Sequence, residues 1–101
     1  MNIKLSKFGT TLTSRQLGRE AHAAFSPNLK TIPADEKIII DFNGVNTFTP
    51  SWGDEFLSPL LKKHEDKLVL RKTNNLSVIE TIALLEEIYK YKFRYSKEKL
   101  E

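Results

Sequence analysis

Two hydrophobic periods alternate along the chain. Ile3 and Leu5 are separated by polar residues, which predicts a first strand near residues 2–8. Gly9 and the Thr10-Thr11 pair read as a turn or a short hairpin partner. Thr13-Ser14-Arg15-Gln16 has the spelling of a capping box, and Leu17, Ala21, Ala24 and Phe25 recur behind it at helical spacing. A helix over 14–26 follows, ended by Ser26-Pro27, and a proline-punctuated loop fills residues 27–36. The β-branched run Lys37-Ile38-Ile39-Ile40-Asp41-Phe42 predicts a buried central strand, closed by a turn at Asn43-Gly44. A second helix starts within Thr49-Pro50-Ser51-Trp52-Gly53-Asp54-Glu55-Phe56 and runs toward His64, with Phe56, Leu57, Leu60 and Leu61 inward. Pro59 interrupts it. Mid-helix proline costs about 3 kcal/mol, so a kink near residue 55 or a restart capped by Ser58 is expected. Lys67-Leu68-Val69-Leu70-Arg71 forms a third core strand and Thr73-Asn74-Asn75 a loop. Ser77-Val78-Ile79-Glu80, a second capping box, opens a helix over 77–90 carried by Ile82, Ala83, Leu85, Ile88 and Tyr89.

The order is β-α-β-α-β-α. It predicts one α/β domain over residues 1–89, with a small mixed, mainly parallel sheet covered by helices. A length of 101 residues fits a single domain. Partners of such sheets meet the carboxyl ends of the strands. That rule draws attention to residues 49–56, which lie just beyond the central strand.

Composition removes several function classes. Cysteine is absent, so neither a disulfide framework nor a thiolate metal site exists. The four glycines are scattered and form no phosphate loop. His22 and His64 sit in predicted helices without metal-ligand spacing. Ser51, His64 and Asp41 can be written as a triad, but no G-x-S-x-G elbow supports it, and no catalytic role or cofactor is expected. No apolar run approaches the roughly 18 residues of a membrane span, and the N-terminus lacks an apolar signal core. A cytoplasmic location is the expectation.

The net charge of +3 is unevenly placed. Residues 90–101 hold five of the 16 basic residues and two of the 13 acidic ones, so the rest of the chain is balanced. This tail alternates Tyr89, Tyr91, Phe93 and Tyr95 with Lys90, Lys92 and Arg94, a period of two. One reading is an edge strand whose aromatic face packs on the body or on a second protomer; a homodimer is compatible with this. The other is single-stranded nucleic acid stacked on the rings, with the cations on phosphates. Leu100-Glu101 matches a cloning scar and carries no weight.

The segment Lys37–Leu61, "KIIIDFNGVNTFTPSWGDEFLSPLL", resembles the centre of STAS domains, the anti-sigma-factor antagonist fold, and more closely the small bacterial STAS-like domains of unassigned function. The likeness rests on the apolar strand ending in Asp41, the Gly44-Val45 turn and the helix start Ser51-Trp52-Gly53-Asp54-Glu55. Ser14-Arg15 opening the first helix and Asn74-Asn75 after the third strand also match, so the resemblance covers roughly residues 2–85. It implies a non-catalytic signalling domain that binds a protein partner, a kinase-type ATPase or anti-sigma-like regulator, through the helix at Ser51. In typical members a serine at this place is phosphorylated and the partner is released. This chain departs from the usual Asp-Ser-Ser-Gly: Thr49 replaces the acid, and Trp52 follows the serine.

Two caps compete at this helix start. Ser51 with Asp54 three residues on approximates a capping box. Thr49 before Pro50 is the better cap, because a residue preceding proline is held extended and proline suits the first helical position. Ser51 is then left with a spare hydroxyl, the candidate phosphoacceptor. Thr49, Trp52, Asp54, Glu55 and Arg15 are the candidate partner-binding residues. Trp52 is either a core anchor or an exposed contact, and Arg15 is placed to pair with either acid.

Overall fold

The computed structural model describes residues 1–96. Its strands are β1 (Asn2–Lys4), β2 (Thr11–Leu12), β3 (Ile38–Asp41), β4 (Thr47–Phe48), β5 (Leu68–Leu70) and β6 (Arg94–Tyr95). Its helices are α1 (Arg15–Leu29), α2 (Pro50–His64) and α3 (Leu76–Tyr89). Four strands form one sheet in the order β1-β3-β5-β6, while β2 and β4 form a separate two-stranded pair. Every pairing is parallel. The fold is therefore α/β with three principal helices, and the tail enters the sheet as the edge strand β6.

Register explains where the core lies. Ile3 is opposite Ile40 and Ile40 opposite Leu70, and all three are fully buried. The alternate row, Asn2, Ile39, Val69 and Arg94, is half-buried or exposed. The helices thus cover one face of the sheet, not both. On that face Phe8, Phe25, Phe48, Trp52 and Phe56 pack together. The Trp52 ring stacks on Phe56 at 5.0 Å and meets Phe48 edge-on at 5.9 Å. Such pairs contribute about 0.5–1.5 kcal/mol each beyond their burial.

Several local expectations are corrected. The first strand stops at Lys4 and gives way to a 3-10 turn, Leu5–Phe8. Thr11–Leu12 makes a parallel bridge with β4 across the chain, not a hairpin. On α1 only Ala21 and Phe25 of the four predicted apolar positions are buried; Leu17 and Ala24 are exposed, and Gly18 takes the inward place. Its cap is Ser14, whose hydroxyl accepts the N–H of Leu17 at 3.2 Å. The helix continues through Pro27 to Leu29. Pro27 forgoes the bond to Ala23, an exposed residue whose carbonyl water can satisfy. Pro59 likewise lies inside a continuous α2, with no restart at Ser58. The third helix is capped by Asn75, which accepts from Val78 N–H at 3.3 Å, and not by Ser77. Ala83, Ile88 and Tyr89 face outward, while Val78 and Thr81 join Ile82 and Leu85 in the interior.

The closest helix contact sits beside the region of interest. A Cβ on Gly18 would stand 2.7 Å from the carbonyl oxygen of Trp52 and 3.0 Å from its Cα. Alanine is better than glycine in a helix by about 1 kcal/mol, but here the clash is with backbone, and overpacking costs about 1–3 kcal/mol. Gly18→Ala is therefore expected to lower the unfolding free energy by up to about 2 kcal/mol. Urea titration followed by Trp52 fluorescence measures this; a stabilised variant would show that the helices are not in close contact.

Candidate functional site at the start of the second helix

Thr49 occupies the cap position of α2 with extended backbone, and Pro50 takes the first helical position. The cap bond itself is missing. The Thr49 hydroxyl turns away and donates to the carbonyls of Thr13, at 3.0 Å, and Leu12, at 3.4 Å. Its N–H also donates to Leu12 O, at 3.1 Å. This threonine is a clamp between the entrances of α1 and α2, not a side-chain cap. The other side of the junction is held by α3. Ser77 Oγ accepts from Phe48 N–H at 2.8 Å and donates to Phe48 O at 2.9 Å, and Thr81 Oγ1 donates to the same carbonyl at 2.7 Å.

Ser51 follows at the second helical position, half-buried. Its hydroxyl makes no hydrogen bond among the described residues and is not a buried unsatisfied atom. Because α2 has no side-chain cap, the helix start beside Ser51 keeps unfilled N–H donors at its positive end. Trp52, one of the partner-contact candidates, is only 2 % exposed. It anchors the core and is not a surface contact.

The remaining candidates meet in one network. Arg15 Nη1 reaches Asp54 at 3.2 Å and Glu55 at 3.3 Å, and Arg19 reaches Glu55 at 3.1 Å. Asp54 Oδ1 also accepts from Ser58 Oγ, at 2.7 Å, and from the hydroxyl of Tyr89. One carboxylate therefore ties α1, α2 and α3 together. Burial disfavours its charge, but donation from Tyr89, Ser58 and Arg15 outweighs this and holds Asp54 below the usual carboxylate range. Arg19, against some loss of solvation, and then Arg15 keep Glu55 low as well. The same bonds raise Arg15 and Tyr89, each chiefly through Asp54. Arg19, Ser58 and Tyr89 were not among the sequence candidates. Ser58 stands four residues after Asp54, a spacing visible in the sequence; Tyr89 reads there as the start of the aromatic tail.

The two histidines stand apart from this network. Burial and then Lys63 hold His22 below the ordinary imidazole value, and burial followed by Lys67 does the same for His64. Among the described residues no cluster of metal-ligating side chains occurs, and no helix is long and apolar enough to cross a membrane.

A family model described as a STAS-like domain of unknown function, DUF4325, matches residues 22–78, more than half of the chain. The chain belongs to this STAS-like family. The match spans β3, β4, α2 and β5, so Ser51, Asp54 and Glu55 lie inside the family segment, while Ser14, Arg15, Arg19 and Tyr89 lie outside it. No curated protein and no solved structure gives a significant match.

The depressed Asp54 fixes the sign of a pH effect. A carboxylate lowered in the folded state stabilises fully above its unfolded value and less as pH falls through the folded one. The protein is expected to lose stability below about pH 4, where free aspartate titrates. Asp54→Asn should cost about 1 kcal/mol at neutral pH and flatten this acid loss. Thermal melts of both chains across pH 3 to about 7 test it; parallel pH curves would contradict the network.

Proposed function

We propose that this STAS-like chain is a non-catalytic regulatory domain that binds a protein partner through the edge formed by the starts of α1 and α2. The observation that carries the reading is the hydroxyl of Ser51. Four hydroxyls around the α2 entrance are engaged: Thr49 by α1, Ser77 and Thr81 by Phe48, Ser58 by Asp54. Ser51, inside the first turn of α2, has no hydrogen bond to its hydroxyl among the described residues, and it stands at the carboxyl edge of the sheet.

A phosphate on Ser51 would meet uncapped helix N–H donors and the positive helix end, but also Asp54 and Glu55. Both acids are already engaged by Arg15 and Arg19. Phosphorylation would thus add charge to a neutralised surface, and a partner that packs there by complementarity would be released. A kinase-type ATPase is the kind of partner the family resemblance implies.

The nucleic-acid reading of the tail has less support. Phe93 is buried, Arg94 donates to the carbonyl of Asp66 at 3.0 Å, and Lys92 lies 3.8 Å from Glu86. Phe93, Arg94 and Lys92 are thus engaged by the chain itself. Lys97, Lys99 and Leu100-Glu101 lie outside the described residues.

A photo-crosslinking residue placed at Ser51, in cells of the native host, should capture a specific protein, whereas the same residue at exposed Asp35 in the loop before β3 should not. Excess unlabelled chain should compete for the adduct, and the Ser51→Asp chain should compete poorly. Equal labelling from both positions, or equal competition, would end this reading.

A further inference from the structure

The carboxyl ends of β3, β5 and β6 meet α3 around a cleft of about 300 Å³ that uses none of the site residues at the start of α2. Phe42, just past β3, and Val78 and Ile79 of α3 form its apolar walls, and Tyr95 of β6 closes one side. Lys72 and Thr73 stand at the mouth, on the loop leaving β5. Among the described residues none that lines the cleft is acidic, and Lys72 is the one charged group. Its ammonium has no ion pair or hydrogen bond among the described residues. Two large apolar side chains remain open to water here, Ile79 at 42 % and Tyr95 at 43 % exposure.

The rim is held in place without a ligand. Arg71 N–H donates to Ile40 O at 2.9 Å, and Ser96 N–H donates to Leu70 O at 2.8 Å, so the strands on both sides of the mouth are fixed. Asn75 ties the loop down: its side-chain amide donates to the carbonyls of Val45, at 3.0 Å, and Asn46, at 3.2 Å. Asn75 N–H in turn donates to Thr73 Oγ1 at 3.1 Å. With its oxygen accepting from that N–H, the Thr73 hydroxyl keeps its own proton for another acceptor. An apolar cleft with a few convergent polar groups at the carboxyl edge of an α/β sheet has the anatomy of a small-ligand site. Its volume is at the lower end for such sites. A single unpaired cation matches one negative charge and not a polyphosphate.

We propose that this cleft binds a medium-chain fatty carboxylate. The acyl chain lies against Phe42, Val78 and Ile79, and the carboxylate meets the Lys72 ammonium and the Thr73 hydroxyl. The site sits on the same sheet edge as the Ser51 surface but depends on none of its residues, so either can fail alone.

Decanoate titrated into the isotopically labelled full chain should give saturable amide shifts at Lys72, Thr73, Val78, Ile79 and Tyr95, with Ser51 unmoved. Decylamine should bind more weakly by up to about fivefold, the scale of one exposed charge pair. Lys72→Gln should weaken decanoate by a similar factor and leave decanol unchanged. Ile79→Glu, at an exposed position, should abolish both while the melting temperature is kept. The proposal is overturned by non-saturable shifts, by equal binding of decanoate and decylamine, or by shifts that survive Ile79→Glu. It is also overturned if the same amides report a concentration-dependent dimer that excludes decanoate, which would assign the cleft to a second copy of the chain.

Discussion

The approach of α1 to α2 at Gly18 sets the geometry of the whole candidate edge. Packed helices normally keep their axes 8–10 Å apart, a distance set by the side chains between them. At Gly18 there is no side chain, and the backbone of Trp52 fills the space where a Cβ would be. Arg15 and Arg19 lie on either side of this contact along α1, and Asp54 and Glu55 follow Trp52 along α2. Their charged groups meet at 3.1–3.3 Å because the backbones meet first. Ion pairs this exposed contribute little singly. Their effect here is positional: they fix the first turns of two helices relative to one another and neutralise the surface around Ser51.

A second constraint acts at the β4–α2 junction. Thr49 is bound to the carbonyls leading into α1, and the two backbone polar groups of Phe48 are taken by Ser77 and Thr81 from α3. Threonine at a cap position would ordinarily serve its own helix. Diverting its hydroxyl to α1 leaves the α2 terminus open, and Ser51, one step inside, does not close it. The result is an open helix start with a half-buried, unbonded hydroxyl in a charge-balanced surround. Trp52, the residue that most departs from the usual spelling of this segment, is absorbed by the core and leaves that surface unobstructed.

Much of the fold was legible because its strongest signals are local. The run Ile38-Ile39-Ile40 reads as a buried central strand and is β3, and the helices expected toward His64 and over 77–90 are present as 50–64 and 76–89. The misreadings have a common cause in tertiary contacts. Pro27 and Pro59 look like breakers, but each lies in a helix held by packing, which overrides one missing bond. Ser77 has the spelling of a cap and is instead recruited by Phe48, so the cap falls to Asn75. The bridge between Thr11–Leu12 and Thr47–Phe48 is two residues long on each side and carries no periodic signal at all. At the site, the position of Thr49 was readable from the following proline, but the direction of its hydroxyl was not. The convergence of Tyr89 and Ser58 on Asp54 depends on where α3 ends, which no local pattern encodes.

The central claim is that Ser51 presents a free, solvent-reachable hydroxyl on a folded, uncapped helix start. The chain has no cysteine, so a single introduced thiol reports its own environment. Ser51→Cys should react with a disulfide reagent in the native state about as fast as in the unfolded chain, helped by the helix end that favours thiolate, with melting unchanged. Ser58→Cys, at the buried position bonded to Asp54, should react only on unfolding. Protection of both thiols alike would contradict the account.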